Sequence, residues 1–110
     1  MEKPLKGDVV ILPFPFSDLT QSKKRPAVVI ASLDGDDVIL CQITSKARWD
    51  KYAIKLSDKD FSRGSLKVES FLRPNRMFTA DISLVLYKVG TLKMYKIDEL
   101  IKKIVEILQK

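Results

Sequence analysis

The sequence predicts one mainly β domain that ends in an amphipathic helix, and three observations support this prediction. Runs rich in β-branched residues alternate with turn signals through most of the chain. Apolar residues at helical spacing follow near the C-terminus. The chain has 110 residues, of which 45% are hydrophobic, so it can build one core and is too apolar for a disordered protein. Residues 1–110 are therefore expected to form a single domain.

Three strands are predicted in the first half of the chain, at 7–13, 25–32 and 37–44. Asp34 and Gly35 form a tight-turn signal, which joins the second and third strands into an antiparallel hairpin. Apolar residues occupy both alternating sets of positions in this hairpin, so we expect both of its faces to be covered. A curled barrel, a helix or a partner subunit would provide that cover.

The second half of the chain is predicted to form shorter and less regular elements. Two short strands are expected at 52–57 and 64–70. A further strand is expected near 83–90, because this run is rich in β-branched residues. A short helical turn around 79–82 should precede it.

The chain is predicted to end in a helix within 96–110. Lys102, Lys103 and Glu106 fall on the solvent side of this helix, and the acidic residues at its start suit the positive end of the helix dipole. The apolar stripe consists of Ile97, Leu100, Ile101, Ile104, Ile107 and Leu108.

The composition favours a polyanionic partner and excludes several kinds of site. The chain has 20 Lys and Arg against 14 Asp and Glu, a net charge of +6, which attracts polyanions. It has no histidine and one cysteine, so neither histidine-based proton transfer nor a zinc site is expected. Its four glycines are too far apart for a phosphate-binding loop. We therefore predict no metal and no cofactor.

The sequence also bears on the compartment. No apolar run approaches the roughly 20 residues that span a membrane, and the N-terminus lacks the apolar segment of a secretion signal. The single cysteine, Cys41, cannot form an internal disulfide and is expected to be a small buried apolar residue. These features predict a cytoplasmic protein without membrane contact.

Three consecutive cations, Lys23, Lys24 and Arg25, lie at the start of the second predicted strand. Pro26 favours an extended backbone at Arg25, and an arginine fixed there can bind a phosphate with two parallel hydrogen bonds. The alternative interpretation is an ordinary solvated loop that keeps a sheet edge soluble.

Two hydroxyl residues, Thr44 and Ser45, end the third predicted strand. Because the second and third strands are antiparallel, Thr44 should lie beside Arg25, so the cations and hydroxyls could line one site. Lys46 and Arg48 extend the positive charge. Trp49 offers a face on which an unpaired base can stack, although a structural anchor is an equally good interpretation of Trp49.

Two more arginines, Arg73 and Arg76, lie in the run 71–78. Arg73 also precedes a proline and should be held extended. The alternative is that this run is simply a charged loop.

With these residues in view, the chain resembles the MazF/PemK family of toxin ribonucleases from type II toxin–antitoxin systems. The resemblance extends from Lys6 to Leu108 and includes three segments, "GDVVILPFPFSDLTQSKKRPAVVIAS", "CQITSK" and "ESFLRPNRMFTADISLV". It implies a small SH3-like (MazF/CcdB-like) antiparallel barrel with a C-terminal amphipathic helix. It further implies a homodimer and a cognate antitoxin, which we expect to be acidic and partly disordered.

The resemblance also implies an activity, the metal-independent cleavage of single-stranded RNA by attack of the 2′-hydroxyl on the adjacent phosphate. By resemblance, Arg25 and Thr44 fall on the most widely shared catalytic positions of the family. Arg73 and Ser45 match residues used in some branches, and we expect Arg73 to be catalytic as well. The other cationic, hydroxyl and aromatic residues of the predicted site are expected to bind RNA: Lys23, Lys24, Ser45, Lys46, Arg48, Trp49 and Arg76.

The sequence departs from the family pattern in two ways. Asn75 stands where some members have an acid, and the histidine that others use in the first loop is missing. The general base therefore stays open, with Asp18 and Glu69 as candidates by sequence neighbourhood. These departures also keep open a catalytically degenerate or purely binding toxin of the same fold, and more remotely a phosphoesterase.

Overall fold

The computed structural model of the protein describes residues 2–14, 23–46 and 50–110. They form seven strands, one α-helix and two short 3₁₀ turns, at Asp58–Asp60 and Ile82–Leu84. The strands and the helix are β1 (Asp8–Phe14), β2 (Lys23–Ser32), β3 (Asp37–Thr44), β4 (Ile54–Leu56), β5 (Phe61–Gly64), β6 (Ser70–Asp81), β7 (Tyr87–Leu92) and α1 (Met94–Leu108).

The strands form one antiparallel sheet in the order β4-β6-β3-β2-β1-β7-β5. The sheet curls into a half-barrel, and the C-terminal helix follows its seventh strand. The predicted fold class is thus confirmed. No helix within the described ranges is long and apolar enough to cross a membrane.

Two apolar cores lie on opposite faces of the central strands, as the two-sided hairpin predicted. The first core joins the sheet to the stripe of α1 that includes Ile97, Leu100 and Ile104. The second core lies on the other face, where Val85 and Ile82 from the segment after β6 pack against it. Cys41 belongs to the first core and is fully buried, which confirms its predicted role. Burial raises the pKa of its thiol to about 12.

The prediction of a strand at 64–70 is wrong. The preceding strand, β5, ends at Gly64, and residues 65–69 form no strand. Lys67 takes a left-handed backbone with φ 65°, which a strand cannot accommodate. Gly64 itself has φ +68°, and a Cβ atom there would lie 2.0 Å from the carbonyl oxygen of Val89. The chain therefore turns away as soon as β5 has paired with β7.

The run 71–78, for which the sequence predicts no strand, belongs to the longest strand of the sheet. Cys41 pairs with Met77, and two residues later Ile43 pairs with Leu72. Gln42 on β3 therefore faces the whole segment 73–76 on β6, which forms a wide bulge. Pro74 sits inside this bulge, where a missing N–H breaks no ladder bond. The helical turn expected around 79–82 lies instead at Ile82–Leu84, because β6 continues to Asp81.

Candidate nucleic-acid interface

The strand register brings Arg25 and Thr44 to the same end of the β2–β3 pair. The pairing ends with Ala27 on β2 and Gln42 on β3, and Arg25 and Thr44 each lie two residues beyond that pair. Side chains of directly opposed residues in an antiparallel pair point to the same face of the sheet. Arg25 and Thr44 therefore share one face, and Gln42 shares it with them.

Arg73 lies on β6, the strand on the other side of β3. Thr44 pairs with Phe71 on β6, and Arg73 follows Phe71 by two residues, at the start of the bulge 73–76, where regular side-chain alternation ends. Thr44 thus lies between the strand that holds Arg25 and the strand that holds Arg73. The three residues that the resemblance assigns to catalysis therefore lie on three adjacent strands.

The hydroxyl of Thr44 is held in place by the backbone that follows it. Its Oγ1 accepts a hydrogen bond from the amide of Lys46 at 3.1 Å. This local turn ends β3 and fixes the direction of the hydroxyl, because a threonine oxygen can replace a backbone acceptor two residues along the chain. Ser45 and Lys46 are exposed beside it.

The guanidinium of Arg73 is bound to Asp50, a residue that the sequence analysis did not select. Arg73 Nε donates a hydrogen bond of 2.9 Å to Asp50 Oδ2, and their side chains are 21% and 9% exposed. The other carboxylate oxygen, Oδ1, accepts a hydrogen bond of 2.9 Å from the amide of Tyr52. The sequence shows Asp50 only as one acid in a charged segment, so nothing in it distinguishes this residue.

Tyr52 is fixed in turn by the C-terminal residue. Lys110 Nζ donates a 2.7 Å hydrogen bond to the Tyr52 hydroxyl and lies 5.2 Å from the centre of its ring. That hydrogen bond, together with the charges of Lys110 and Lys51, lowers the pKa of Tyr52. The segment that contains Asp50 is thereby attached to the end of the helix.

The remaining cations of the predicted site do not all lie on the same face. Lys23 is two residues from Arg25 and shares its face, whereas Lys24 alternates to the opposite face of β2. Arg76 is exposed within the bulge of β6. Arg48 and Trp49 lie outside the described residues.

Of the two candidate bases, Glu69 is 62% exposed and pairs with Lys55 at 3.2 Å. It precedes β6, roughly 13 Å from Arg73 along an extended chain. The second candidate, Asp18, lies outside the described residues. Neither is therefore placed next to the three clustered residues by the described structure.

Gln42 is the second residue that the sequence analysis did not assign to the site. It is partly buried, opposite Ala27 on one side and opposite the bulge of β6 on the other. Its alternation with Thr44 along β3 is the sequence signal that could have identified it. The rings of Phe14 on β1 and Phe78 on β6 pack with centroids 5.2 Å apart.

Arg25, Gln42 and Thr44, with Arg73 on the neighbouring strand, offer hydrogen-bond donors and positive charge at this end of the sheet. Such a surface suits the oxygens of a phosphate group. Within the described residues, no three acidic, histidine or cysteine side chains come together as a possible set of metal ligands.

The fold and this face together define a small SH3-like barrel protein with a cationic patch on its sheet. More specifically, the chain belongs to the PemK-like, MazF-like toxins of type II toxin–antitoxin systems, a family that its residues 5–108 match. Among curated proteins, none matches the chain in sequence.

Solved structures share the fold at low sequence identity. The chain is 20% identical to MazF from Deinococcus radiodurans, with 100% of each chain covered and a TM-score of 0.77. It is 19% identical to a chain of the MazE–MazF complex from the same organism, with 98% of each covered and a TM-score of 0.78. An endoribonuclease from a mycobacterial species, in complex with its cognate antitoxin, is 13% identical, with 99% and 96% covered and a TM-score of 0.74.

Proposed function

We propose that this toxin is an endoribonuclease that cleaves single-stranded RNA without a metal ion. The observation that supports this proposal is that Arg25, Thr44 and Arg73 lie on three neighbouring strands, with Thr44 on the middle one. The mycobacterial neighbour is itself described as an endoribonuclease, which agrees with the proposal.

In the proposed reaction the 2′-oxygen of RNA attacks the adjacent phosphorus, and the bond to the 5′-oxygen breaks. The products are a 2′,3′-cyclic phosphate and a 5′-hydroxyl end. DNA cannot react in this way because it lacks the 2′-hydroxyl. Since the chain has no histidine, another group must accept the proton of the attacking hydroxyl, and the departing 5′-oxygen takes up a proton, directly or through water, to become the 5′-hydroxyl.

The three clustered side chains have distinct roles in this proposal. Negative charge builds on the non-bridging oxygens as the phosphorane forms, and the guanidinium groups of Arg25 and Arg73 stabilise it. The hydroxyl of Thr44 donates a hydrogen bond to one of these oxygens or orients the 2′-hydroxyl. RNA binding is assigned to the surrounding residues, Lys23, Lys24, Ser45, Lys46, Arg48, Trp49 and Arg76.

We also propose that the toxin is a cytoplasmic homodimer that a cognate antitoxin inhibits. Three large apolar side chains cluster near the start of β7 and are partly exposed: Leu84 at 38%, Leu86 at 45% and Tyr87 at 48%. A second copy would bury them. The net charge of +6 favours an acidic antitoxin.

The decisive experiment is an RNA cleavage assay in EDTA with wild-type protein and Arg25→Ala. The variant should lose roughly 100- to 1,000-fold in rate, as expected for a transition-state donor. Lys102→Ala is the matched control, because it removes one exposed positive charge from the helix and leaves the patch intact. Equal cleavage by wild type and Arg25→Ala would exclude the role assigned to Arg25.

A purely binding toxin is the second candidate, and Asn75 favours it. This residue is exposed in the bulge next to Arg73, at a position where some relatives have an acid. A titration with RNA, run beside the cleavage assay, separates the two candidates. Salt-sensitive binding without any product would favour the binder over the nuclease.

A further inference from the structure

The ion pair between Asp50 and Arg73 is the most enclosed contact of the candidate interface. The Asp50 side chain is 9% exposed and that of Arg73 is 21% exposed, whereas Arg25 is exposed and makes no such contact in the described residues. An arginine that is partly buried against a carboxylate keeps one orientation. Among the described residues, the interface therefore combines an arginine without such a contact and an arginine that is fixed by one.

The contact uses only part of the Arg73 guanidinium. The group has five N–H donors, and the Asp50 contact takes the one on Nε. Within residues 2–14, 23–46 and 50–110, the four donors on the two Nη atoms make no hydrogen bond or ion pair. A carboxylate held at Nε thus leaves intact the edge with which an arginine binds two oxygens of a phosphate.

Asp50 is also held by hydrogen bonds within its own turn. Its Oδ1 accepts the Tyr52 amide at 2.9 Å, and its carbonyl oxygen accepts the Ala53 amide at 3.1 Å. The turn that contains Asp50 leads directly into β4, which pairs with β6 beside Arg73. The carboxylate is therefore held by the turn that precedes β4.

We propose that Asp50 is a positioning residue, which holds Arg73 through Nε so that its two Nη groups point at the reacting phosphate. This inference rests on the nuclease function proposed above. Both carboxylate oxygens already accept hydrogen bonds, from Arg73 and from Tyr52. Because its carboxylate is bound to the guanidinium and is only 9% exposed, the role assigned to Asp50 is to act through Arg73 and not to take the proton of the 2′-hydroxyl.

The first test measures cleavage by Asp50→Ala and Asp50→Asn. A misplaced catalytic group costs up to about 100-fold in rate, so kcat should fall roughly 10- to 100-fold in Asp50→Ala with a smaller change in KM. Asp50→Asn should lose less, because its amide oxygen can still accept the Nε hydrogen bond. Glu106→Gln is the matched control, since it also removes one negative charge, from an exposed ion pair on α1, and should cleave normally.

A double-mutant cycle separates positioning from a direct role. In an Arg73→Ala background, the further change Asp50→Ala should alter kcat by less than about 2-fold, because residues that act through one another are not additive. An equal loss in both backgrounds would overturn the proposal and would point to Asp50 as a base.

Two readouts do not need cleavage and so separate this inference from the nuclease proposal. The Arg73 Nε–H resonance should be protected from exchange in wild type and lose that protection in Asp50→Ala. Affinity for a 2′-O-methylated RNA should fall in Asp50→Ala, but not when Arg73 is already alanine. If wild type does not cut RNA, the nuclease proposal fails and these two measurements still decide the role of Asp50. An unprotected Nε–H or an unchanged affinity would refute it.

Discussion

The hydroxyl of Tyr95 donates a 2.5 Å hydrogen bond to the carboxylate of Asp60 and so attaches the start of α1 to the turn before β5. Asp60 is 2% exposed, accepts the Ser57 amide at 2.9 Å and lies 3.7 Å from Lys96 Nζ. Burial alone would raise the pKa of Asp60, but these hydrogen bonds and the Lys96 charge outweigh it and hold the pKa below its ordinary value. The charged form of Asp60 is therefore part of the folded structure.

The lowered pKa of Asp60 predicts how the stability of the protein depends on pH. Because the folded-state pKa of Asp60 is lowered, its contribution is fully present above the unfolded-state pKa of about 3.9 and is lost as the pH falls through the folded value. Asp60→Asn should unfold more easily at pH 7, by about 1–3 kcal/mol. Its stability should also fall less than that of wild type between pH 5 and pH 2.

Urea unfolding across this pH range checks the prediction. Asp58→Asn is the control, because it makes the same charge change at an exposed neighbouring position. Parallel pH profiles for wild type and Asp60→Asn would show that Asp60 does not contribute in this way.

The relation between Arg25 and Thr44 could be predicted from the sequence because it depends on local signals. The Asp34-Gly35 turn joins β2 to β3, and once the hairpin is recognised its antiparallel direction brings the start of one strand beside the end of the other. The closing helix was predictable for a similar reason, since its apolar stripe is a pattern within one element. In both cases the information lies within neighbouring residues.

The contact between Arg73 and Asp50 could not be predicted, because it depends on pairing between distant parts of the chain. The two residues are 23 positions apart. Their approach requires β6 to pair with both β3 and β4 and to absorb a bulge at Pro74, which a local pattern marks as a loop. The strand expected at 64–70 failed for a related reason, since packing of Gly64 against β7 ends β5 there.

Gly64 should tolerate no side chain. In Gly64→Ala the new Cβ would lie 2.0 Å from the Val89 carbonyl oxygen, on a backbone with φ +68°. Gly35→Ala isolates the steric part of this effect, because Gly35 also has a positive φ, +76°, but has open space around it. We expect a loss of about 1–2 kcal/mol for Gly35→Ala from the left-handed backbone alone, and a clearly larger loss for Gly64→Ala.

Chemical denaturation of the two glycine variants tests this difference. Equal unfolding free energies would mean that the sheet relaxes around Gly64 and that its approach to β7 is not a constraint.

The thiol of Cys41 should be unreactive in the folded protein. Its side chain is fully buried, and burial raises its pKa to about 12, so very little thiolate exists at pH 8. We expect no reaction with a thiol reagent until the protein unfolds. Cys41→Ala combined with Lys102→Cys provides the positive control, because position 102 is exposed on α1 and a thiol there should react at once. Rapid labelling of native wild type would contradict the packed first core.

Thr44 combines a structural and a proposed chemical task, and three substitutions can separate them. Its Oγ1 accepts the Lys46 amide at 3.1 Å, so removing the oxygen in Thr44→Val should cost about 1 kcal/mol of stability as well as cleavage. Thr44→Ser keeps both the turn and the hydroxyl and should cleave within a few-fold of wild type. Thr44→Asn keeps an acceptor for the Lys46 amide but has no hydroxyl, so it should fold with near-normal stability and lose roughly 100-fold or more in rate. Thermal unfolding and RNA cleavage of the three variants give the measurement. Full activity in Thr44→Asn would show that Thr44 serves only the turn at the end of β3, and the proposed chemistry would then rest on the two arginines.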